Sequence, residues 1–511
     1  MRSAPRSSRW RYRLIVSRSR WFIALPAALG ACTIVYDADN LPARTDAPTV
    51  DARPLDADPS QLALTAVEPM RLDEGLGAGG GRPALVVLRG ASLVGSATVT
   101  AAFTDGPGEV LVVGFDALPD GTEAGVALRL PVLTDLGAGA TRTLRLTVAQ
   151  GEVERTIDLM VDGLDELRLV GPTFAAPAGP RRYARIEVAG DVHVTGGPLI
   201  VEATADVVIA GRLDGDAIGA TPGPGGCAGG PAEGAGDCTP GGGGAGVNGA
   251  VLGLGTGGGG GGGGFGAAGT TGNGAGAGPG GDASGNDMLV PLVGGASPED
   301  SNRGNGGGGG GGGALSAPGG RGAGGGGVLA ITARGDLRVE GAGALAAGGG
   351  TVSGGSGGGG GGSGGAILVR VGGALTASHV WLSAPGGGAS TGSGNAGGRG
   401  GVGRIRVDSA GGDVAAMATT PTAVRGPTWP LDLPIVAASA PAVTLTGEPG
   451  RSFPLRLNDA DAGTATPGAG GTAAVTGLAW RVGHNRLCAV ARPGRLVAES
   501  LACVDLYLTA L

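Results

Sequence analysis

The sequence predicts an all-β protein with two β-sandwiches and a short parallel β-helix that carries long glycine-rich insertions. Two observations predict this class. Many segments alternate apolar and polar residues with the two-residue period of strands, and helical periodicity is nearly absent. In addition, one strand-and-turn pattern recurs between residues 196 and 412. A repeat that cannot bury its own apolar face must stack on its neighbours.

Residues 1–31 are predicted to be a signal peptide, because arginines precede an apolar run, Trp21–Gly30, that is too short for a mature spanning helix. The run ends in Leu-Gly-Ala-Cys, which resembles a bacterial lipobox. The resemblance implies that Cys32 is the lipidated first residue of the mature chain. Thr33 replaces the aspartate of inner-membrane retention signals, which favours a lipid-anchored outer-membrane location, facing outward or the periplasm. A true start further downstream, near Val16, stays open.

The charge of the chain excludes several classes of function. Removing residues 1–31 removes seven arginines and no acidic residue, which leaves 29 basic and 43 acidic residues and a net charge of −14. Such a surface repels nucleic acids and anionic headgroups, so we expect membrane attachment through the lipid alone. The chain has no lysine, which rules out a Walker-A phosphate loop and lysine Schiff-base chemistry.

Residues 32–60 are rich in Asp, Ala and Pro and are predicted to be a flexible tether. Residues 61–170 contain seven short β-branched runs separated by Gly, Asp and Pro, as in an antiparallel sandwich. The passage ALVVLRGASLVGSATVTA resembles IPT/TIG-type immunoglobulin-like domains. That resemblance implies a spacer or binding module.

Residues 181–412 are predicted to form the glycine-rich β-helix. Segments starting at Gly196, Gly326 and Gly364 align, and a truncated fourth starts at Gly400. Each copy has three period-2 strands in about 22–26 residues, which matches one coil of a parallel β-helix. The inward positions of the first strand are Leu199, Val201 and Ala203; Leu329, Ile331 and Ala333; and Ile367, Val369 and Val371. The pattern resembles filamentous-haemagglutinin and pectin-lyase-type β-helices.

The glycine tracts between the copies allow two interpretations. In the first, the tracts are disordered excursions from the coils, an interpretation that the high entropy cost of ordering glycine favours. Alternatively, they pack side by side as extended polyproline-II-like strands, which lack internal hydrogen bonds and so need lateral partners. Both interpretations place the tracts outside the coils. In each, the chain leaves the coils after the third strand and rejoins them at the next Gly-Gly.

Residues 413–440 are predicted to be a linker, and residues 441–511 a small sandwich. Two cysteine pairs are close in sequence, and each lies within one segment. We therefore expect two local disulfides rather than free thiols, since the chain has no Cys/His spacing typical of zinc sites. The pairs are Cys227 with Cys238 and Cys488 with Cys503.

No catalytic, metal or cofactor site is predicted. A calcium-dependent lyase would need a carboxylate cluster and an arginine on one coil face. The available groups are Asp206, Asp214, Asp216, Asp336, Glu340, Arg334, Arg338 and Arg370. Asp206 and Asp336 directly precede strands, where aspartate commonly makes a turn, and we favour that interpretation. His193 and His379 are expected to face outward, and His484 stands apart from both. Residues 280–290 loosely resemble one calcium-binding nonapeptide, and one copy cannot form a β-roll.

The sequence thus favours a lipid-anchored bacterial surface protein with a structural or adhesive role, no catalysis and no cofactor. Its expected partners are the membrane and surface glycans or other envelope components. The alternative is a carbohydrate-active β-helix enzyme or a glycan-binding module. Convergence of three carboxylates and an arginine in one groove favours the enzyme.

Overall fold

The protein is described by a computed structural model, and all described residues belong to one compact unit, Thr49–Leu511. The described residues are 59–232, 234–236, 238, 242–246, 258–290, 292, 320–353, 357–379, 381–390, 395–411, 419–430, 434–436, 441–491 and 502–510. The predicted signal peptide, Cys32 and nearly all of the predicted tether lie outside them. The described part is almost entirely strand, turn and extended chain, which confirms the all-β prediction.

The first sandwich follows a 3-10 turn, Pro59–Gln61. Its strands are β1 (Ala63–Glu68), β2 (Arg71–Asp73), β3 (Ala84–Ala91), β4 (Thr98–Phe103), β5 (Leu111–Ala117), β6 (Glu123–Arg129), β7 (Thr141–Gln150) and β8 (Val153–Asp162). The orders β1-β3-β6-β5 and β2-β8-β7-β4 give two packed sheets. Seven of these strands match the seven predicted runs, and the short β2 was not predicted. Leu144, Leu146 and Val148 alternate inward along β7 and are fully buried.

The β-helix has three parallel sheets. Its strands are β9 (Leu167–Leu169), β10 (Thr173–Ala175), β11 (Arg181–Tyr183), β12 (Ile186–Val188), β13 (Val192–Thr195), β14 (Leu199–Ala203), β15 (Val207–Ile209), β16 (Arg212–Asp214), β17 (Val328–Ala333), β18 (Leu337–Val339), β19 (Ala344–Ala346), β20 (Ala366–Thr376), β21 (Leu382–Ser383), β22 (Arg404–Gly411), β23 (Thr419–Thr420) and β24 (Val424–Arg425). The first sheet contains β11, β14, β17, β20, β22 and β24, and the second contains β9, β12, β15, β18 and the end of β20. The third runs β10-β13-β16-β19-β21-β23.

The coils stack in the register that the sequence predicts. Leu199 pairs with Leu329, which pairs with Ile367, and Ile367 pairs with Ile405 of the truncated fourth copy. These side chains are buried in one continuous apolar core. The coils begin with β9, ahead of the expected start at residue 181. Strands β23 and β24 extend the stack into residues that were expected to be linker.

The described glycine tracts are ordered, and they continue the stacking of the coils. Hydrogen bonds recur at every third residue, as a chain with three residues per turn requires. The pairs between the tracts that lead into β17 and β20 are Gly320 N to Gly357 O, Ala323 N to Gly360 O and Gly326 N to Ser363 O. The tracts before β20 and β22 are joined in the same way. The lateral-packing interpretation is therefore correct for this part of the chain, and these tracts stack with the coils instead of leaving them.

The number of glycines in each three-residue turn reports how many sides of a tract are packed. Residues 258–264 are all glycine and all buried. In residues 396–403 every third residue is larger (Ala396, Arg399 and Val402), and the glycines between them contact neighbouring backbones. In residues 266–273 only every third residue is glycine, and this outermost tract exposes both other sides. We call residues 258–290, 320–327, 347–353, 357–365, 384–390 and 395–403 the glycine bundle.

The C-terminal domain contains β25 (Ile435–Val436), β26 (Val443–Thr446), β27 (Phe453–Leu457), β28 (Ala460–Ala465), β29 (Thr472–Val475), β30 (Gly483–Ala489) and β31 (Cys503–Leu508). Its sheets are β25-β31-β30-β27-β28 and β26-β29. The domain packs back onto the first sandwich. Tyr507 is buried against Gly125, where an added Cβ would lie 2.6 Å from the ring. Thr509 donates a hydrogen bond of 2.9 Å to Asp116.

Candidate functional site

Asp206 and Asp336, two of the four aspartates considered for a calcium site, cap the turns of successive coils. The Asp206 Oδ1 atom accepts a hydrogen bond of 3.0 Å from the backbone N–H of Asp336. The Asp336 Oδ1 atom accepts one of 2.8 Å from the N–H of Ala374 in the next coil. These bonds satisfy backbone donors at the turn, which is the role expected of aspartate before a strand.

A loop of the first sandwich covers these aspartates. We call it the seam loop (residues 74–82). Gly79 and Gly80 have φ of +55° and +79°, which favours glycine. An added Cβ at Gly79 would lie 1.7 Å from Asp206 Oδ1, and one at Gly80 would lie 2.8 Å from Asp336 Oδ1. The close approach of this loop leaves no room for a hydrated cation against the facing carboxylate oxygens.

Glu74 anchors the start of the seam loop. Its buried carboxylate accepts hydrogen bonds from the backbone N–H groups of Leu133 and Leu164. Burial raises the pKa of the Glu74 carboxyl, although both hydrogen bonds act in the opposite direction. At the other end, Arg82 donates to the carbonyl oxygens of Trp429 and Cys503, the latter at 2.8 Å. Burial lowers the pKa of Arg82 to about 10. The loop therefore joins the first sandwich to the C-terminal domain across the coils.

A row of polar side chains, four of them charged, crosses the outward face of the first β-helix sheet. The backbone register aligns Arg182, Glu202, Thr332, Arg370 and Asp408 on successive coils. We call this set the coil-face row. It is the place where a β-helix enzyme would carry reactive groups, and Arg370 was among the predicted candidates.

Glu202 sits among arginines. It pairs with Arg334 and lies 3.9 Å from Arg182, which also pairs with Asp73 of β2. Burial alone would raise the pKa of Glu202, but the arginines outweigh it and hold that pKa below its usual value. Burial likewise lowers the pKa of Arg334, and the nearby Glu202 more than compensates, so that pKa is raised. The cluster is an internally compensated ion network.

Asp408 forms the other end of the row. It is 2% exposed and accepts a bond of 2.8 Å from the Arg406 Nε atom; Arg406 itself has no exposed surface. Arg370 lies 3.5 Å from the same carboxylate. Arg406 also donates to the carbonyl oxygen of Met288, near the end of residues 258–290 of the glycine bundle. Gly426 lies against the same pair, where an added Cβ would be 2.0 Å from Asp408 Oδ1. The pair is therefore buried between the coils, the glycine bundle and Gly426.

The remaining predicted acids lie elsewhere. Asp214 and Asp216 lie at the end of β16 with Arg212, and Asp216 accepts a bond from the backbone N–H of Gly348. Burial raises the pKa of Asp216, while backbone and Arg212 contacts hold that of Asp214 down against its own burial. Glu340 is exposed and directly follows β18. The structure thus does not gather the predicted carboxylates into one groove.

Arg338 and the three histidines are also separate from one another. Arg338 lies 4.0 Å from Asp206. His193 is partly exposed and lies 3.5 Å from Asp214, whereas His379 contacts the carbonyl oxygen of Gly343 at 2.8 Å. His484 is buried, 3.1 Å from Asp505.

In residues 280–290, the Asn286 side chain bonds the backbone of Val290, and Asp287 pairs with Arg451. Within the described residues, no three Cys, His, Asp or Glu side chains are placed to hold a metal ion.

Both expected disulfides form. Cys227 and Cys238 join within the first glycine-rich segment, with Cα atoms 6.0 Å apart. Cys488 and Cys503 join the paired strands β30 and β31, with Cα atoms 4.0 Å apart. The second bridge lies beside the Cys503 carbonyl that binds Arg82. It therefore supports the strand on which the seam loop docks.

Sequence reasoning missed Glu202, Asp408, Arg406, Arg82 and Glu74. The register itself held a signal for two of them, because Glu202 and Asp408 share the outward position that Arg370 occupies. No local signal marks Arg82 or Glu74, whose partners lie far along the chain.

No protein-family model matches this chain, and no curated protein matches it. Fold and geometry therefore define the class: an all-β protein with a parallel β-helix between two smaller β-domains. Among the described residues, no helix has the length and apolar character needed to cross a membrane.

Proposed function

We propose that this chain is a lipid-anchored protein of the bacterial outer membrane with a structural or adhesive role and no catalysis. The lipobox-like sequence at Cys32 supports the anchor, and the acidic mature chain agrees with attachment through lipid alone. The expected partners are the membrane and surface glycans or other envelope components. The IPT/TIG-like passage in the first sandwich is consistent with a binding or spacer module on this surface.

The observation that carries the proposal is the arginine-paired coil-face row. Its carboxylates are paired with arginines, and the Glu202 side chain is 23% exposed and that of Asp408 2%. Groups that perform general acid or base chemistry need access to a substrate proton, at hydrogen-bond distance. The Glu202 Oε1 atom and both Asp408 oxygens are already paired with arginines. The paired charges therefore fit a structural or adhesive surface better than a catalytic site.

The anchor is tested on the mature N-terminus. Mass spectrometry of the membrane fraction is expected to find a diacylglyceryl group on Cys32, and Cys32→Ala is expected to release the protein from the membrane. Thr33→Ala is the matched control and should stay attached. A chain that remains membrane-bound with Ala at position 32 contradicts the anchor.

The adhesive role is tested with whole cells. Cells that produce the full chain are expected to bind a panel of glycans and envelope preparations more strongly than cells that produce Cys32→Ala. Equal binding removes the adhesive role. Equal resistance of the two strains to detergent then removes the structural role as well.

The second candidate is a carbohydrate-active enzyme or glycan-binding module. The meeting of Asp73, Glu202 and three arginines on one coil face favours it. The test is depolymerisation of acidic and neutral polysaccharides, measured as new reducing ends, by the wild type and by Glu202→Gln. Activity that the substitution abolishes without loss of folding overturns the non-catalytic proposal.

A further inference from the structure

The outermost tract of the glycine bundle is an exposed ridge. In residues 266–273 the glycines recur at positions 266, 269 and 272; Gly269 and Gly272 face the inner tract, and Gly266 faces Gly403 of a neighbouring tract. An added Cβ at Gly269 would lie 2.1 Å from the Gly262 oxygen, and one at Gly272 would lie 2.2 Å from the Gly259 oxygen. The other residues of the ridge are exposed: Ala267, Ala268, Thr270, Thr271 and Asn273.

Two tracts flank this ridge, one on each side. The N–H groups at 267, 270 and 273 donate to carbonyls at 402, 399 and 396, and those at 269 and 272 donate to carbonyls at 281 and 278. Both flanking tracts also bond to the inner tract, residues 258–264. The ridge therefore stands between residues 395–403 and residues 276–283 on the same surface of the bundle.

The flanks carry opposite charges near one another along the tracts. Thr270 N lies 2.9 Å from Arg399 O, and Gly269 N lies 2.9 Å from Gly281 O. Both flanks run antiparallel to the ridge, so Arg399 is level with Thr270 and Asp282 with Ala268. The two charged residues are therefore offset by two residues, about 6 Å along the tracts. Both side chains are exposed, and neither forms an ion pair with any described residue.

We propose that this face binds the same face of a second copy of the chain, around a two-fold axis parallel to the tracts. Rotation about such an axis brings each flank opposite the other flank of the partner copy. Each Arg399 then faces the flank that carries the partner copy's Asp282, about 6 Å away along the tract and within the length of an arginine side chain, which is the reciprocal pairing of an isologous interface. An axis perpendicular to the tracts would oppose like charges. Charge complementarity thus selects both the occupant and its orientation.

The ridge between the charges suits close contact. Its exposed side chains are alanine, threonine and one asparagine, which are short enough for two ridges to approach closely. The two-fold axis sets each ridge residue opposite the same residue of the partner copy. Val402, 37% exposed on the flank of Arg399, adds apolar surface. The proposal does not depend on what else the protein binds.

The test traps the dimer in the full chain as cells produce it. Thr271 lies on the ridge near the proposed axis, so Thr271→Cys is expected to form a disulfide with itself under mild oxidation. Dimer appears on a non-reducing gel. Thr156→Cys, exposed on the outer face of β8, is the matched control and should give little dimer.

Charge reversal separates the proposed interface from chance collisions. In the Thr271→Cys chain, Arg399→Glu or Asp282→Arg is expected to reduce trapped dimer about tenfold, because each substitution removes two ion pairs and adds repulsion. The double reversal is expected to restore dimer. Protease resistance of each variant checks folding. Dimer no greater than in the Thr156→Cys control, or a yield that folded charge-reversal variants leave unchanged, overturns the proposal.

Discussion

The packed glycine bundle makes Gly261→Ala a severe substitution. Gly261 is buried, and its N–H donates a bond of 2.9 Å to the Gly244 oxygen. An added Cβ would lie 1.7 Å from the Pro279 oxygen and 2.4 Å from its carbonyl carbon. Both clashing atoms are backbone, so no side chain can rotate away. The two tracts must move apart by more than about 1 Å, at the cost of hydrogen bonds that hold them.

We expect Gly261→Ala to lower the free energy of unfolding by about 3 kcal/mol, the upper range for overpacking in a tight core plus one weakened buried bond. Gly197→Ala is the matched control, because an added Cβ at Gly197 meets nothing within 4 Å. That change is expected to be neutral or to stabilise by about 0.5 kcal/mol through the unfolded state.

The assay is denaturant unfolding, combined with hydrogen exchange at the amides of Gly263 and Gly398. Both amides bond between tracts and are expected to exchange faster in Gly261→Ala. Equal unfolding midpoints for the two alanine variants, with unchanged exchange at both amides, would falsify the tract packing described above.

Three further predictions follow from the cores and charges. Replacing Cys488 and Cys503 by serine removes the disulfide that closes a loop with a sequence separation of 15. The free energy of unfolding, measured in denaturant, should fall by about 3 kcal/mol, and a fall below about 1 kcal/mol contradicts this. Leu345→Ala removes a fully buried side chain of the coil stack and should cost about 2–5 kcal/mol in the same measurement, whereas little loss would mean a loosely packed core. The lowered pKa of Glu202 contributes stability above the unfolded pKa of about 4.3, which is lost as pH falls through the folded value. The difference in melting temperature between wild type and Glu202→Gln should therefore be large at pH 7 and shrink below about pH 4; a constant difference refutes the assignment.

The coils were predictable because their register repeats in the sequence. Leu213, Leu345 and Leu382 occupy one inward position on successive coils, and local periodicity is sufficient to find them. The order of the glycine tracts was not predictable from glycine content, since glycine is compatible with disorder and with close packing. The three-residue spacing of Arg399 and Val402 carried that information, because a side chain at every third position leaves two sides free to pack.

The charged face was only partly predictable. The alignment placed Arg370 on the coils. It did not identify the residues that pair with Arg370 or those that pack beside it. Asp73 and Arg182 are far apart in sequence and meet because β2 packs beside the coils. The contact of Arg82 with Cys503 spans 421 residues. Such pairs depend on how the domains dock, which no local pattern encodes.

The inner tract of the bundle is a core without conservative replacements. In a core of leucine and valine, a substitution removes or adds atoms, and neighbours relax inward or outward. Residues 258–264 are already at the smallest side chain. Every missense change there adds at least one carbon between backbones that touch. Substitutions in this segment can therefore only add atoms, never remove them. We expect tolerated changes to fall on the exposed ridge, where two positions in three already carry side chains.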